Sequence, residues 1–248
     1  MPSSIPSRLL QGVVAGDARS LGRALTHVES SGTDASELEA QLRSAGVNVA
    51  DARVIGVTGA PGAGKSTLVD ALLRRLAVDG RRIGVLAVDP SSPRTGGAVL
   101  GDRTRIRDAA LLPNVFIRSV ASRGSPGGVA RAAAAMLLLL RAAGFALIIV
   151  ESVGAGQGEL AIADVVDTTL VAVPPGLGDE VQALKAGILE IANVLVVTKA
   201  DLPGSDIAFE DLSHAMAMGL RAERPRIVMV SSTTGAGMGE LVELLRLG

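Results

Sequence analysis

Gly59-Ala60-Pro61-Gly62-Ala63-Gly64-Lys65-Ser66 combines residue types and spacing that can grip a phosphate. Its glycines permit backbone conformations that aim several N–H groups at one anion. Lys65 can carry its charge to the β- and γ-phosphates of a nucleotide, and the Ser66 hydroxyl can join a magnesium shell. Thr67, the next hydroxyl, extends the same nucleotide-binding run. The motif has the context its chemistry needs. Val54-Ile-Gly-Val-Thr58 before it reads as a strand, and the residues from Lys65 read as a helix whose N-terminus adds a positive dipole. A chance glycine-rich turn requires neither flank. The run therefore predicts binding of a nucleoside triphosphate with Mg2+.

Further carboxylates follow at strand ends. Leu147-Ile-Ile-Val150 is an apolar run closed by Glu151, where an acid can face the magnesium directly or through water. Its continuation, Glu151-Ser152-Val153-Gly154, is similar to the Asp-x-x-Gly switch of GTPases with Glu for Asp. Gly154 could then sense a γ-phosphate through its N–H. Val85-Leu-Ala-Val88 ends in Asp89 and opens a Gly/Ser/Thr-rich stretch that runs to Asp102. Both aspartates are candidates for magnesium or its waters, although taken alone each also reads as a surface turn, where Asp is common. Lys65, Asp89, Asp102 and Glu151 are thus the expected catalytic group. Ser66 with the three acids is the expected metal set.

A base-recognition element lies later in the chain. Val196-Val-Thr198-Lys199-Ala200-Asp201 resembles the Asn-Lys-x-Asp motif of GTPases. The Asp201 carboxylate can accept from the ring N–H and exocyclic amine of guanine, a donor pattern that adenine lacks. The Lys199 stem can lie along the purine. Thr198 stands where that motif has Asn, keeping a hydroxyl and losing the amide. After the last apolar run, Ser231-Ser232-Thr233 forms a polar turn whose N–H groups could reach the guanine carbonyl.

The elements that must position these residues are legible from the hydrophobic rhythm. From residue 53, short β-rich runs at 54–58, 83–88, 115–118, 146–150, 169–173, 194–198 and 227–230 alternate with helical stretches at 65–78, 127–142, 179–191, 209–220 and 239–245. Such alternation predicts an α/β fold, a mostly parallel sheet with helices on both faces, whose ligands bind at the carboxyl ends of the strands. Every motif above falls just after a strand. Residues 1–50 read instead as helices, with Leu9, Leu10, Val13 and Val14, then Leu21, Leu25 and Val28, then Leu38 and Leu42 as buried faces. Two parts are expected: an N-terminal helical appendage over 1–50 and a P-loop domain over 51–248.

Composition narrows the function classes. The 248 residues are 48% apolar but only 1% aromatic, with no Trp or Tyr. Base stacking on aromatic platforms is therefore not expected, and a formal charge of -1 gives no general attraction to polyanions. No nucleic-acid partner follows. The chain has no cysteine, and its two histidines, His27 and His214, are far apart in sequence, so neither disulfides nor a thiolate metal site can form. The most apolar run, 132–140, is shorter than the roughly 20 residues that span a bilayer. With no signal-peptide pattern at the start, a cytoplasmic protein with no membrane partner is expected.

Taken together, Val88-Asp-Pro-Ser-Ser-Pro-Arg-Thr-Gly-Gly97, Leu100-Gly-Asp-Arg103, Val150-Glu-Ser-Val-Gly-Ala-Gly-Gln157 and Pro175-Gly-Leu-Gly-Asp-Glu180 resemble the MeaB/ArgK group of P-loop GTPases. That group belongs to the SIMIBI-type architecture. Leu9-Leu10 and Ala24-Leu-Thr-His-Val-Glu-Ser30 extend the likeness into the N-terminal helices. The resemblance implies a slow GTPase, cycling between GTP and GDP, that gates delivery of adenosylcobalamin to an acyl-CoA mutase such as methylmalonyl-CoA mutase and helps eject a damaged cofactor. It also implies that Asp179, Gln182 and Lys185 form a further switch that reports the partner to the nucleotide. Many members continue past the equivalent of Gly248 into a helical arm used for dimerisation, so a homodimer, a monomer and an obligate complex with the mutase all stay open. So do two other activities: a P-loop kinase acting on a small molecule or transport protein, and a GTP-dependent scaffold with little turnover.

Overall fold

The computed structural model describes residues 4–89, 106, 108–121, 126–152, 162–176, 188–218 and 224–247. Its centre is a seven-stranded sheet: β1 Arg53–Gly59, β2 Ile83–Asp89, β3 Val115–Ala121, β4 Leu147–Glu151, β5 Thr168–Val173, β6 Val194–Val197 and β7 Arg226–Met229. The order is β3-β2-β4-β1-β5-β6-β7, and every pairing is parallel. Each apolar run read from the sequence is one of these strands. The helices are α1 Ser7–Val14, α2 Ala18–Ser31, α3 Ala35–Ser44, α4 Lys65–Leu76, α5 Pro126–Ala142, α6 Ile188–Ile191, α7 Ser205–Met218 and α8 Met238–Leu247. Of the helix expected over 179–191, only α6 lies within the described residues.

β-branched runs buried on both faces explain why the strands read as continuous apolar stretches rather than as alternations. In β4, all of whose residues are buried, Leu147 and Ile149 enter one apolar cluster while Ile148 and Val150 enter another. The first cluster packs α4 and α8 beneath one face of the sheet. The second joins the opposite face to α5 and to the N-terminal helices through Leu10, Val13, Leu21, Leu25, Val28, Leu38 and Leu42. A third, smaller cluster under α6 and α7 continues on the same side through Val171, Leu195 and Val197. Val14 departs from expectation: it is 44% exposed. α1 spans only two turns, and Leu10 and Val13 already cover the narrow contact it makes.

Polar contacts secure the joints between layers. Arg82, just ahead of β2, donates to the carbonyls of Ala143 and Gly16, and its guanidinium lies 4.4 Å from the centroid of the Phe145 ring. One side chain thus connects the α1–α2 turn, the end of α5 and the start of β4. The half-buried pair Arg118–Glu29, at 3.0 Å, links β3 to α2. On the other face, Asp70 of α4 is buried and accepts from the Ala109 N–H at 3.0 Å, while Arg74 holds its other oxygen at 3.2 Å.

Candidate functional site

β1 lies between β4 and β5, and the glycine-rich loop leaves its carboxyl end. Gly59 adopts φ 135°, and a Cβ at that position would stand 2.2 Å from the Ala172 carbonyl oxygen of β5. Only glycine lets the strand turn into the loop so close to its neighbour. The loop then enters α4 through Gly64, which caps the helix in the left-handed conformation. Lys65 opens α4 and is buried, donating from Nζ to the carbonyls of Gly59 at 2.7 Å and Ala60 at 2.9 Å. The ammonium is therefore held inside the curve of the loop. Thr67, on the first turn of α4, is exposed, as are Pro61 and Gly62.

Glu151 closes β4 opposite Val57 of β1, which brings its carboxylate beside the loop. The Ser66 hydroxyl donates to Glu151 Oε1 at 2.5 Å. Two oxygen donors from different elements meet here at the N-terminus of a helix, and such a hard donor pair fits magnesium. The next residue fixes this corner. Ser152 donates its N–H to the Val57 carbonyl and its hydroxyl is bonded to that of Thr58, both at 2.9 Å. The Ser152–Thr58 pair escaped the sequence reading, which treated Ser152 only as a spacer between Glu151 and Gly154. Asp89 is the last residue of β2, two positions beyond Ala87, which pairs with Glu151. It therefore sits at the same end of the sheet. Asp102, Gly154, Asp179, Gln182 and Lys185 lie outside the described residues.

The base-recognition candidates occupy the carboxyl ends of β6 and β7 and are tied to the glycine-rich loop. Thr198 is buried and donates to the Ala63 carbonyl at 2.7 Å, with a longer contact to Val173 O at 3.4 Å. Lys199 adopts φ 54°, a left-handed conformation uncommon outside glycine, and its ammonium donates to Gly62 O at 2.9 Å. Ala200 donates to the Val230 carbonyl, joining this turn to the end of β7. Asp201 follows with its side chain exposed. Ser205, absent from the sequence-based candidates, is buried and its hydroxyl donates to Ala200 O at 3.2 Å. Its position at the head of α7 was the available signal, because serine there is suited to local backbone bonding.

Ser231 plays a different part from the one expected. It is fully buried, its N–H already donates to Ala236 O, and its hydroxyl accepts from the Thr234 N–H at 3.1 Å. Ser231 therefore braces the turn instead of offering it a free donor. Ser232 and Thr233 form the outer part of the turn, with Thr233 exposed.

The family model described as methylmalonyl Co-A mutase-associated GTPase MeaB matches residues 21–246. A Pyrococcus horikoshii protein named as a GTPase is 42% identical over 245 residues, covering 96% of this chain and 76% of the relative. GTPase ArgK of Escherichia coli K12 is 37% identical over 233 residues, covering 91% and 70%. The mitochondrial methylmalonic aciduria type A homolog of Mus musculus is 37% identical over 258 residues, covering 96% and 62%. Among solved structures, a LAO/AO transport system kinase superposes with a TM-score of 0.76 at 30% identity, over 98% of this chain and 76% of the other. The hydrogenase maturation factor HypB of Archaeoglobus fulgidus shares the fold, with a TM-score of 0.57 at 19% identity over 86% of this chain and 95% of its own.

Proposed function

The chain belongs to the methylmalonyl Co-A mutase-associated GTPase family and is a GTPase, and from that premise we propose that its nucleotide cycle gates adenosylcobalamin loading and protection of an acyl-CoA mutase of the methylmalonyl-CoA mutase type. The observation that carries the reading is the joining of two sites at one sheet end. The loop holding Lys65 and the turn holding Asp201 are hydrogen-bonded to each other through Thr198 and Lys199.

In this reading Gly59, Ala60, Pro61, Gly62, Ala63 and Gly64 wrap the phosphates with their N–H groups, and Lys65 places its charge against the β- and γ-phosphate oxygens. Ser66 and Glu151, with Asp89 and Asp102, would hold magnesium. When bound, the metal supplies charge stabilisation to the phosphoryl oxygens. Thr67 adds a hydroxyl to the nucleotide site. Asp201 accepts from the guanine edge, with the Lys199 stem along the ring. The Ser231-Ser232-Thr233 turn closes the base side, Ser231 as its brace. Gly154 senses the γ-phosphate, while Asp179, Gln182 and Lys185 relay the presence of the mutase. Little covalent work falls to the protein, so positioning and charge decide the rate. No side chain among the described residues of the site is placed as a strong general base, which accords with a slow basal turnover that a partner accelerates.

Single-turnover hydrolysis of GTP, with and without purified methylmalonyl-CoA mutase and adenosylcobalamin, tests the proposal. It predicts faster turnover with the mutase and nucleotide-dependent transfer of the cofactor. A mutase that binds the protein yet changes neither rate nor transfer would refute the gating role. Calorimetry with GTP and ATP tests the base reading separately, and equal affinities would refute it.

A further inference from the structure

Two consecutive residues of the base loop hold two consecutive carbonyls of the phosphate loop. Thr198 Oγ1 donates to Ala63 O at 2.7 Å, and Lys199 Nζ donates to Gly62 O at 2.9 Å. The two bonds differ in setting. The Lys199 bond is exposed and water can replace it, whereas Thr198 is 2% exposed and Ala63 is fully buried. A buried carbonyl deprived of its donor has no solvent to turn to, so the Thr198 bond carries more of the constraint. Ala63 immediately precedes Gly64 and Lys65, the residues that turn the loop into α4. Fixing its carbonyl fixes the peptide plane from which the phosphate-facing N–H groups continue. The second acceptor of Thr198, Val173 O at the end of β5, anchors the hydroxyl to the sheet.

We propose that Thr198 is a positioning residue for the phosphate loop: its hydroxyl holds the Ala63 carbonyl, so the strength of the grip on phosphate depends on a residue of the base loop. This deepens the guanine-nucleotide reading above and rests on it. Choice of base stays with Asp201, while Thr198 sets how well the loop is pre-formed, whatever base is attached. Base and phosphate contacts are consequently coupled through a covalently remote bond, and the coupling is reciprocal.

The discriminating probe is inorganic pyrophosphate, which has no base. Its affinity is measured by calorimetry with magnesium for the wild-type chain, T198V and T198S, beside GDP and ADP. Valine keeps the branched shape and loses the donor; serine keeps the donor. T198V is expected to weaken pyrophosphate by about tenfold, the scale of one buried hydrogen bond, and T198S to return it to within about twofold of wild type. The GDP-to-ADP preference should be unchanged in both variants. A role confined to the base predicts the opposite: pyrophosphate binding untouched by T198V and a reduced preference for GDP. Either of those results overturns the proposal. So does failure of T198S to rescue when its melting temperature matches wild type. Failure of the wild-type chain to bind either GDP or pyrophosphate would instead sink the underlying guanine-nucleotide reading along with it.

Discussion

Gly237 offers a test of the backbone reasoning in which one control isolates one effect. It adopts φ 69°, and an added Cβ would meet the Met229 carbonyl oxygen at 1.8 Å and its carbon at 3.0 Å. Gly32, the C-terminal cap of α2, has nearly the same φ, 68°, with nothing within 4 Å of its added Cβ. Both alanine variants incur the left-handed conformational cost, about 1–2 kcal/mol. Both recover part of it, about 0.4–1 kcal/mol, through the stiffer unfolded chain. G32A should therefore lose roughly 1 kcal/mol or less. G237A adds an overlap with backbone more than an ångström inside any tolerated approach, and no side-chain rotation relieves it. The chain must move around 229–237, where Ser231 N–H meets Ala236 O and Gly237 O receives the first bond of α8 from Leu241. Losses beyond about 4 kcal/mol are expected, on the scale of the most damaging single substitutions. Equilibrium urea denaturation reads both variants, and GDP calorimetry reads the base-side turn in whatever remains folded. If the two variants lose the same stability within about 0.5 kcal/mol, the close approach of Gly237 to Met229 is not a constraint and the reasoning fails.

Three further outcomes follow from named contacts. Asp201→Asn replaces an acceptor with a group that can donate, so preference should pass from GTP to xanthosine triphosphate, whose purine carries a carbonyl where guanine has an amine; competition binding with the two nucleotides checks this, and retained preference for GTP would show that Asp201 does not read the base. Leu25→Ala empties a fully buried position shared by α2, α5 and the sheet face, and should cost about 2–5 kcal/mol by urea denaturation; a smaller loss would mean that the N-terminal helices collapse onto the gap. Asp17 caps α2, and hydrogen bonds from the Ser20 hydroxyl and then the Ser20 N–H hold its carboxyl below the usual 3.8. A lowered folded pKa contributes stability above the unfolded value and loses it as pH falls through the folded one. The deficit in melting temperature of Asp17→Ala against wild type should therefore be full at neutral pH and shrink below about pH 3; a pH-independent deficit would deny the role of the charge.

The strands and the phosphate loop were readable because their signals are local. Val54 to Thr58 is β-branched and apolar, the glycines recur within the next few residues, and Lys65-Ser66 opens an amphipathic helix. The parallel order followed from the alternation of runs and helices. Contacts between distant residues were not readable. Nothing near Thr198 in sequence announces Ala63, and the loss of the amide suggested weaker bracing where the structure shows the hydroxyl making the contact. Ser231 looked like a donor because turns generally expose their N–H groups, but Gly237 lets this turn fold back so that Ala236 O takes that N–H. Val14 matched a helical face by spacing, and only packing could show that α1 needs no more than Leu10 and Val13.

The central place of β1 has a kinetic meaning. The strand from which the phosphate loop hangs is zipped on both sides, to β4 and β5, and its side chains feed both layers of core. Edge strands β3 and β7 can detach by breaking one ladder, whereas β1 cannot separate without opening the sheet itself. Its amides should accordingly exchange with solvent only through unfolding of the whole chain. Nucleotide release then proceeds from a fixed root, by motion of the loops above the sheet and never by fraying beneath it.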